Sequence, residues 1–388
     1  MPAPDRQAQA AALKTFLIAD PAQWPELAPQ VLAAVGADRL RSIAEATRAR
    51  VGGVREVVDT RAGLAVTGPA GRVLAWVQLD ADGRLTALRI APATAGRREL
   101  PIGLLRWCGR AFWLLLFGWS VFSSWTASDL TGWIDAALTT AFGLLLLEGW
   151  SMAAAETWWF RRPLELSALV TLASAYRLPG LPTGHDLTGP TFTAVLLVAN
   201  AVSLVRARRH RWRETTAVPL RFPLRGSWYV AQGGGRGLNH HFGIAEQRGA
   251  VDLVRVGPGG TRGRSQHLES YHCYGEKLYA PCAGRVVAAV DGFEDQQPGV
   301  IRYGPLYGNH VFIDTGDAIV KLAHLRPGTV AVTEGQQIEA GCLLGEVGNS
   351  GNTSEPHLHL HAERDGQGLD LRFTGVTGGL YRGRTVRG

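Results

Sequence analysis

Two stretches of this chain, Ala111–Ser128 and Leu187–Val205, contain no charged side chain. Each is close to the ~20 residues that a helix needs to cross a bilayer core, so the rest of the fold must be arranged around membrane-length helices. Leu130–Met152 is a third apolar candidate, interrupted by Asp135 and Glu148, and Leu164–Leu181 is a fourth that carries Glu165 and Arg177. The last two also read as buried or interfacial helices. All but three of the 40 basic residues are arginine, and the formal net charge is +7. A basic balance can serve nucleic acid. Here, however, the arginines gather beside the apolar runs, at Arg97-Arg98, Arg161-Arg162 and Arg206–Arg213, as the flanks of membrane helices do. A lipid bilayer is the expected partner, and nucleic acid is not.

Ahead of these runs, Ala8–Ala19 and Trp24–Arg50 have helical apolar spacing with Pro21, Pro25 and Pro29 between and within them. Val54–Val66, Arg72–Leu79 and Arg84–Ile90 alternate like strands, and Asp80-Ala81-Asp82-Gly83 is a hairpin signal. This helix-then-sheet order resembles the small α+β domains of the cystatin/NTF2-like type, such as the DUF3887-like module. It contains no nucleophile or metal cluster, so binding or spacing is its expected role. Pro2, Pro4 and Asp5, with no early apolar core, predict no secretory signal.

Near the C-terminus the chain reads Gly351-Asn352-Thr353-Ser354-Glu355-Pro356-His357-Leu358-His359-Leu360-His361. In an extended strand, residues two apart share a face, so the three histidines form one imidazole row. Imidazole is a common metal ligand and titrates near neutral pH. The same third of the chain offers Asn239-His240-His241, then Asp252 inside an apolar stretch, then Ala323-His324-Leu325 at the end of a strand-like run. One Asp and two His around a zinc leave a position for water, and further histidines nearby could move protons or steady an oxyanion.

In these segments and their order, residues 219–373 resemble the M23 (lysostaphin/LytM-like) zinc endopeptidases. The matching segments are Asn239-His240-His241, Ala250-Val251-Asp252, Tyr279–Val287, Gly308-Asn309-His310-Val311, Ala323-His324-Leu325, Val332–Gly341 and Gly348 through His359. The resemblance implies one zinc held by His241, Asp252 and His359, with His324 and His357 as non-ligand catalytic histidines and peptidoglycan peptides as substrate. Such a zinc activates water and polarises the scissile carbonyl, and the two catalytic histidines could divide proton transfer and oxyanion support either way. The family usually separates its first His and Asp by three residues, whereas ten separate His241 from Asp252. The intervening Phe242–Gly249, with Glu246, Gln247 and Arg248, reads as a loop. His240 and His241 would face opposite ways in a strand, and His241 is the expected ligand. His361 is either an outer partner of the metal site or a surface residue.

The expected fold class is therefore multidomain. A small N-terminal α+β domain spans 1–96, and an α-helical transmembrane region spans 97–213, with three or four helices near 111–128, 130–152, 164–181 and 187–205. A mostly antiparallel β peptidase domain spans 214–388, because short apolar runs alternate there with Gly, Pro, Asn and Asp turns. A lipoyl-type carrier is disfavoured, since such a carrier needs a lysine at a hairpin tip and the chain has only Lys14, Lys277 and Lys321. Cys108, Cys273, Cys282 and Cys342 suggest free thiols rather than a disulfide framework. Four spans would keep every arginine cluster and the catalytic domain on the cytoplasmic side, while three would export the domain. The chemistry favours an extracytoplasmic, membrane-anchored zinc endopeptidase. The competing reading is a catalytically silent wall-binding scaffold or regulator, which would lack one of the five site residues.

Overall fold

The computed structural model describes residues 6–60, 63–90, 102–152, 156–217, 220–257, 260–262, 267–299 and 306–388; the Arg97-Arg98 pair lies outside them. The N-terminal region packs helices α1 (Arg6–Ile18), α2 (Trp24–Leu27), α3 (Pro29–Val35) and α4 (Ala37–Val51) on an antiparallel sheet of β1 (Glu56–Thr60), β2 (Gly63–Gly68), β3 (Gly71–Leu79) and β4 (Leu85–Ile90). Leu13, Phe16, Leu17, Trp24, Leu64 and Val66 fill its core. The single helix expected over Trp24–Arg50 is three. Pro29 disfavours a helical conformation at Ala28, and Gly36 takes φ +82°, which ends α3. The single strand expected over Val54–Val66 is two, β1 and β2, with Thr60 paired to Gly63 across the turn. The Asp80–Gly83 hairpin forms as expected, closed by the Asp80 N–H donating to the Arg84 carbonyl at 2.9 Å.

Four antiparallel helices follow. They are α5 (Ile102–Thr126), α6 (Leu130–Leu144, continued by a π-helical turn to Trp150), α7 (Trp158–Ala173, continued by a 3-10 turn to Gly180) and α8 (Thr188–Arg209). At one end Arg110 bonds Glu156, Arg161 bonds Glu148, and Arg208 reaches the Glu148 carbonyl. At the other, Trp125 bonds the Val170 carbonyl, Trp133 bonds Ser174, and Thr193 bonds Asp135. The chain thus enters α5 and leaves α8 at the same end, so four helices, not three, separate the two flanking regions. That end carries Arg110, Arg161, Arg162, Arg206, Arg208 and Arg209.

Hydroxyl side chains share the bundle interior with the apolar cluster Phe117, Leu147 and Leu164, and the exterior is largely apolar. Ser120, Thr140 and Thr171 are buried and bonded to one another, at 3.0 Å for Thr140–Ser120 and 3.2 Å for Thr140–Thr171. Leu115, Trp119, Phe122, Leu169, Phe192 and Val198 are exposed. By length and composition, Leu130–Trp150 and Thr188–Arg209 are long and apolar enough to cross a membrane. The 111–128 run, expected as one of the two clearest spans, belongs to the longer α5 and is not among them. Trp107, Trp113, Trp119, Trp125, three serines and Arg110 lower the hydropathy of that helix. The 164–181 candidate is no continuous α-helix either, because it changes to 3-10 geometry at Ser174.

The C-terminal region is an antiparallel β-domain. Its strands are β5 (Ser227–Gln232), β6 (Val251–Val254), β7 (Lys277–Tyr279), β8 (Gly284–Val290), β9 (Asn309–Asp314), β10 (Ile319–Leu325), β11 (Gln337–Ile338), β12 (Leu343–Glu346), β13 (Leu358–Arg364), β14 (Gln367–Leu369) and β15 (Thr385–Arg387). The main sheet runs β11-β8-β9-β10-β13-β6-β5-β15, with β14 paired to β13 and a separate β12-β7 ribbon. Period-two alternation sorts its two faces. Val311, Ile313, Val320, Leu322, Leu358, Leu360 and Ala362 enter the core, which Trp228 and Leu253 complete. His310, Phe312, Lys321, Ala323, His359 and His361 share the opposite face, with Lys321 opposite His361 and Ala323 opposite His359. The domain sits directly on the arginine-rich end of the bundle. The Gly235 N–H donates to the Ala207 carbonyl at 2.8 Å, and Arg382 donates to the Trp150 carbonyl at 3.0 Å. All four cysteines are free, as expected.

One close approach fixes the loop that leads into β13. Gly308 has φ +57°, and a Cβ there would lie 2.3 Å from the Ser350 backbone. Gly316 has φ +81° but nothing within 4 Å of such a Cβ. Gly316→Ala should therefore cost only the left-handed strain, ~1–2 kcal/mol. Gly308→Ala should add a backbone collision and cost clearly more; equal losses in thermal unfolding would contradict this packing.

Candidate active site

The site begins where β13 lies between β6 and β10. His359 is opposite Asp252 on one side and Ala323 on the other. Its Nδ1 is 2.9 Å from Asp252 Oδ1. His241 comes from a 3-10 turn over His240–Gly243, not the strand that its neighbours suggested, and Asn239 caps that turn. The strand argument for choosing between His240 and His241 therefore does not apply. Burial separates them instead, since His241 is buried and His240 exposed. His241 Nε2 lies 3.2 Å from both Asp252 oxygens. His240, His241 and Asp252 each place a donor atom within 4.8 Å of the others, but His359 approaches the carboxylate more closely than that.

The two remaining histidines of the expected set face the same point. His357 Nε2 is 3.7 Å from Asp252 Oδ1, and the His324 and His357 ring centres are 4.8 Å apart. A carbonyl can only accept, so the 2.8 Å contact of His324 Nδ1 with the Ser350 carbonyl makes Nδ1 the protonated nitrogen. The same holds for His357 Nδ1 against the Glu355 carbonyl at 2.8 Å. In His324, which burial keeps neutral, Nε2 is left bare. His324 adopts φ +67° at a bulge in β10, the kind of uncommon conformation that recurs at functional sites. Its amide is held by the Tyr307 carbonyl at 3.0 Å. The Gly351–Pro356 loop reaches the row through Thr353 Oγ1, 3.2 Å from His357 Nδ1, and is itself tied down. Gln296 donates to the Thr353 carbonyl at 2.8 Å, and Asn349 donates back to the Gln296 carbonyl at 2.7 Å.

Electrostatics follow from burial. Desolvation alone would raise Asp252, yet the His241 and His357 charges, with hydrogen bonds from His241 and His359, hold it well below the usual carboxylate range. Burial pushes His324 well below the ordinary imidazole range, helped by His357 and His359, and lowers His359 to about 4. Burial also opposes charge on His241, but the Asp252 carboxylate and two hydrogen bonds outweigh it, so the group is raised. A buried carboxylate thus stays ionised beside His241, while His324 and His359 are kept neutral, and carboxylate with imidazole is a donor set that zinc takes. Ligand atoms around a tetrahedral zinc, with bonds of about 2.0–2.1 Å, lie about 3.3 Å apart. The 2.9 and 3.2 Å separations found here fit that spacing.

One contributor was left open by the sequence, and others carried no signal in it. His361 is fully buried rather than on the surface, and its Nδ1 meets His359 Nε2 at 2.9 Å. Its Nε2 has no partner among the described residues. If His359 Nδ1 were to hold a metal, its Nε2–H would donate to His361 Nδ1, and His361 would fix the tautomer of His359. Gln247, in the segment read as a plain loop, is buried against His241, and Tyr307 stacks beside His361. Lys321 is no exposed carrier lysine, because it pairs with Glu363 at 2.8 Å with both side chains nearly buried. Lys321→Met should destabilise the domain by about 3–5 kcal/mol by leaving Glu363 unpaired, and Lys321→Met with Glu363→Leu should recover most of that. A double variant that unfolds in urea as early as the single one would contradict the pairing.

The sequence profile of Peptidase family M23 matches residues 269–371. That segment contains His324, His357 and His359 but begins after His241 and Asp252. Solved structures with similar folds include a peptidase M23 of Pseudomonas aeruginosa, at 22% identity over 48% of this chain and 63% of that one, with TM-score 0.26. A zinc-containing peptidase of Vibrio cholerae matches at 16% identity over 41% of this chain and 39% of that one, with TM-score 0.25. The antimicrobial peptidase lysostaphin of Staphylococcus simulans matches at 14% identity over 42% of this chain and 51% of that one, with TM-score 0.22. This chain thus spans less than two thirds of each of these proteins. The profile match, on a sheet that brings His324, His357 and His359 together, identifies residues 269–371 as a Peptidase family M23 domain.

Proposed function

We propose that the chain is a membrane-embedded zinc endopeptidase, with the bundle over 97–213 carrying a catalytic domain over 214–388 and a small accessory domain over 1–96. The observation that carries the reading is the convergence of His241 Nε2 and His359 Nδ1 on the Asp252 carboxylate, at 3.2 and 2.9 Å. His241, Asp252 and His359 would hold one zinc ion. When bound, the metal supplies Lewis-acid polarisation of the scissile carbonyl and a low pKa for water. With Nδ1 bound to a carbonyl in both rings, His324 and His357 offer Nε2 to the reaction, to accept a proton from the attacking water and pass it to the leaving amine. The same rings, once protonated, donate a hydrogen bond to the developing oxyanion. Peptidoglycan stem or cross-bridge peptides are the substrate class implied by the M23 resemblance. The silent-scaffold reading is disfavoured because none of the five site residues is missing.

The bilayer part of the proposal rests on the apolar exterior of the bundle and its two membrane-length helices. Buried hydroxyls bonded to each other and an apolar exterior are what lipid-facing helices require. The even number of helices bears on sidedness. Both flanking domains attach at the arginine-rich end, and positive charge favours the cytoplasm. That favours a second reading in which the peptidase acts on a cytoplasmic peptide substrate, in contrast to the extracytoplasmic placement that wall chemistry suggests. A reporter fused after Gly388 discriminates the two. Activity only in the cytoplasm supports the second reading, and activity only outside supports the wall substrate.

His359→Ala should abolish zinc binding and hydrolysis together. His324→Ala should keep zinc while turnover falls by about 10²–10⁴. Zinc analysis beside a muropeptide digest with the full chain checks both. A His359→Ala protein that keeps metal-dependent activity would sink the ligand assignment. Muropeptides left intact by folded, zinc-loaded wild type would count against the wall substrate.

A further inference from the structure

The ten residues between His241 and Asp252 form a closed loop with its own internal support. Asn239 ties its two ends. Its Oδ1 accepts the His241 N–H at 3.0 Å, and its Nδ2 donates to the Ala250 carbonyl at 2.9 Å. Inside the loop, a 3-10 turn over Ala245–Gln247 turns Gln247 inward, leaving its residue only 3% exposed. Gln247 Oε1 lies 2.9 Å from His241 Nδ1, while its Nε2 donates to the Tyr307 hydroxyl at 3.2 Å. Both ends of the amide are therefore engaged. With Nε2–H committed to Tyr307, the oxygen is the atom presented to His241, and it can only accept.

An acceptor at Nδ1 has one consequence for the ring. It requires Nδ1–H, which leaves the lone pair on Nε2, the nitrogen that faces Asp252. A metal-ligating imidazole is usually oriented by a hydrogen bond of this kind on its other nitrogen. We infer that Gln247, itself oriented by Tyr307, is the positioning residue that holds His241 in its metal-binding tautomer. The long spacing between His241 and Asp252 is what supplies it, since a three-residue gap has no room for such a side chain. This inference rests on the zinc site proposed above.

The test is the zinc affinity of the full chain, measured by competition with a chromogenic chelator, with thermal unfolding of each metal-free variant as the fold check. Gln247→Leu, which fills the space but cannot accept, should weaken zinc about 10–100-fold. Gln247→Glu keeps an acceptor at the same place and should bind within a few-fold of wild type. Tyr307→Phe should weaken binding less than Gln247→Leu, because the amide loses its anchor and not its oxygen. Unchanged affinity in Gln247→Leu would overturn the inference, as would equal weakening in the Leu and Glu variants, which would assign the residue to packing. A wild-type chain that binds no zinc would instead overturn the metal site, and this inference with it.

Discussion

Strand β13 is held on both sides, and the site depends on that clamp. Pairing with β6 sets His359 opposite Asp252, and pairing with β10 sets it opposite Ala323, one residue before the bulged His324. A slip of one residue on either edge would turn the imidazole row into the core and bring Leu358 and Leu360 to the surface. The apolar alternation that builds the core is therefore the same alternation that aligns the chemistry. Burial of Leu358, Leu360 and Ala362 opposes any such slip and so fixes the register.

That register collects an unusual amount of polarity on one buried face. An ionised carboxylate, an ion pair between Lys321 and Glu363 and a series of imidazoles lie under Tyr307 and the loop that precedes β13. Each is tolerable only because a partner is supplied: carbonyls for His324 and His357, Gln247 for His241, and His359 for Asp252. His361 Nε2 is the exception among these rings. A bound cation would suit such a face, because Asp252 is a concentrated negative charge beside His324 and His359, which burial keeps neutral.

Much of this was legible in the residues. The row at His357, His359 and His361 follows from strand periodicity, and Asp252 stands out as a charge within an apolar strand. The choice between His240 and His241 was legible only as an expectation, since the two occupy a 3-10 turn in which strand alternation has no force. Gln247 was hidden because a buried amide in a polar loop has no periodic pattern, and Tyr307 because its role depends on contacts from a distant loop. The helical region was harder. Apolar runs indicated the four helices, but the backbone effects of Ser174 and of Ala28 before Pro29 are local and were masked by favourable apolar spacing. The M23 resemblance accounts for the β-domain alone, and the bundle is read from its own apolar exterior.

X-ray absorption at the zinc edge of the metal-loaded full chain tests the central claim most directly. The account predicts nitrogen and oxygen scatterers at about 2.0–2.2 Å, with two imidazole rings in the shell and no sulfur near about 2.3 Å. Three imidazoles, which would bring His240 or His357 onto the metal in place of Asp252, would contradict it, as would any thiolate from Cys273, Cys282 or Cys342.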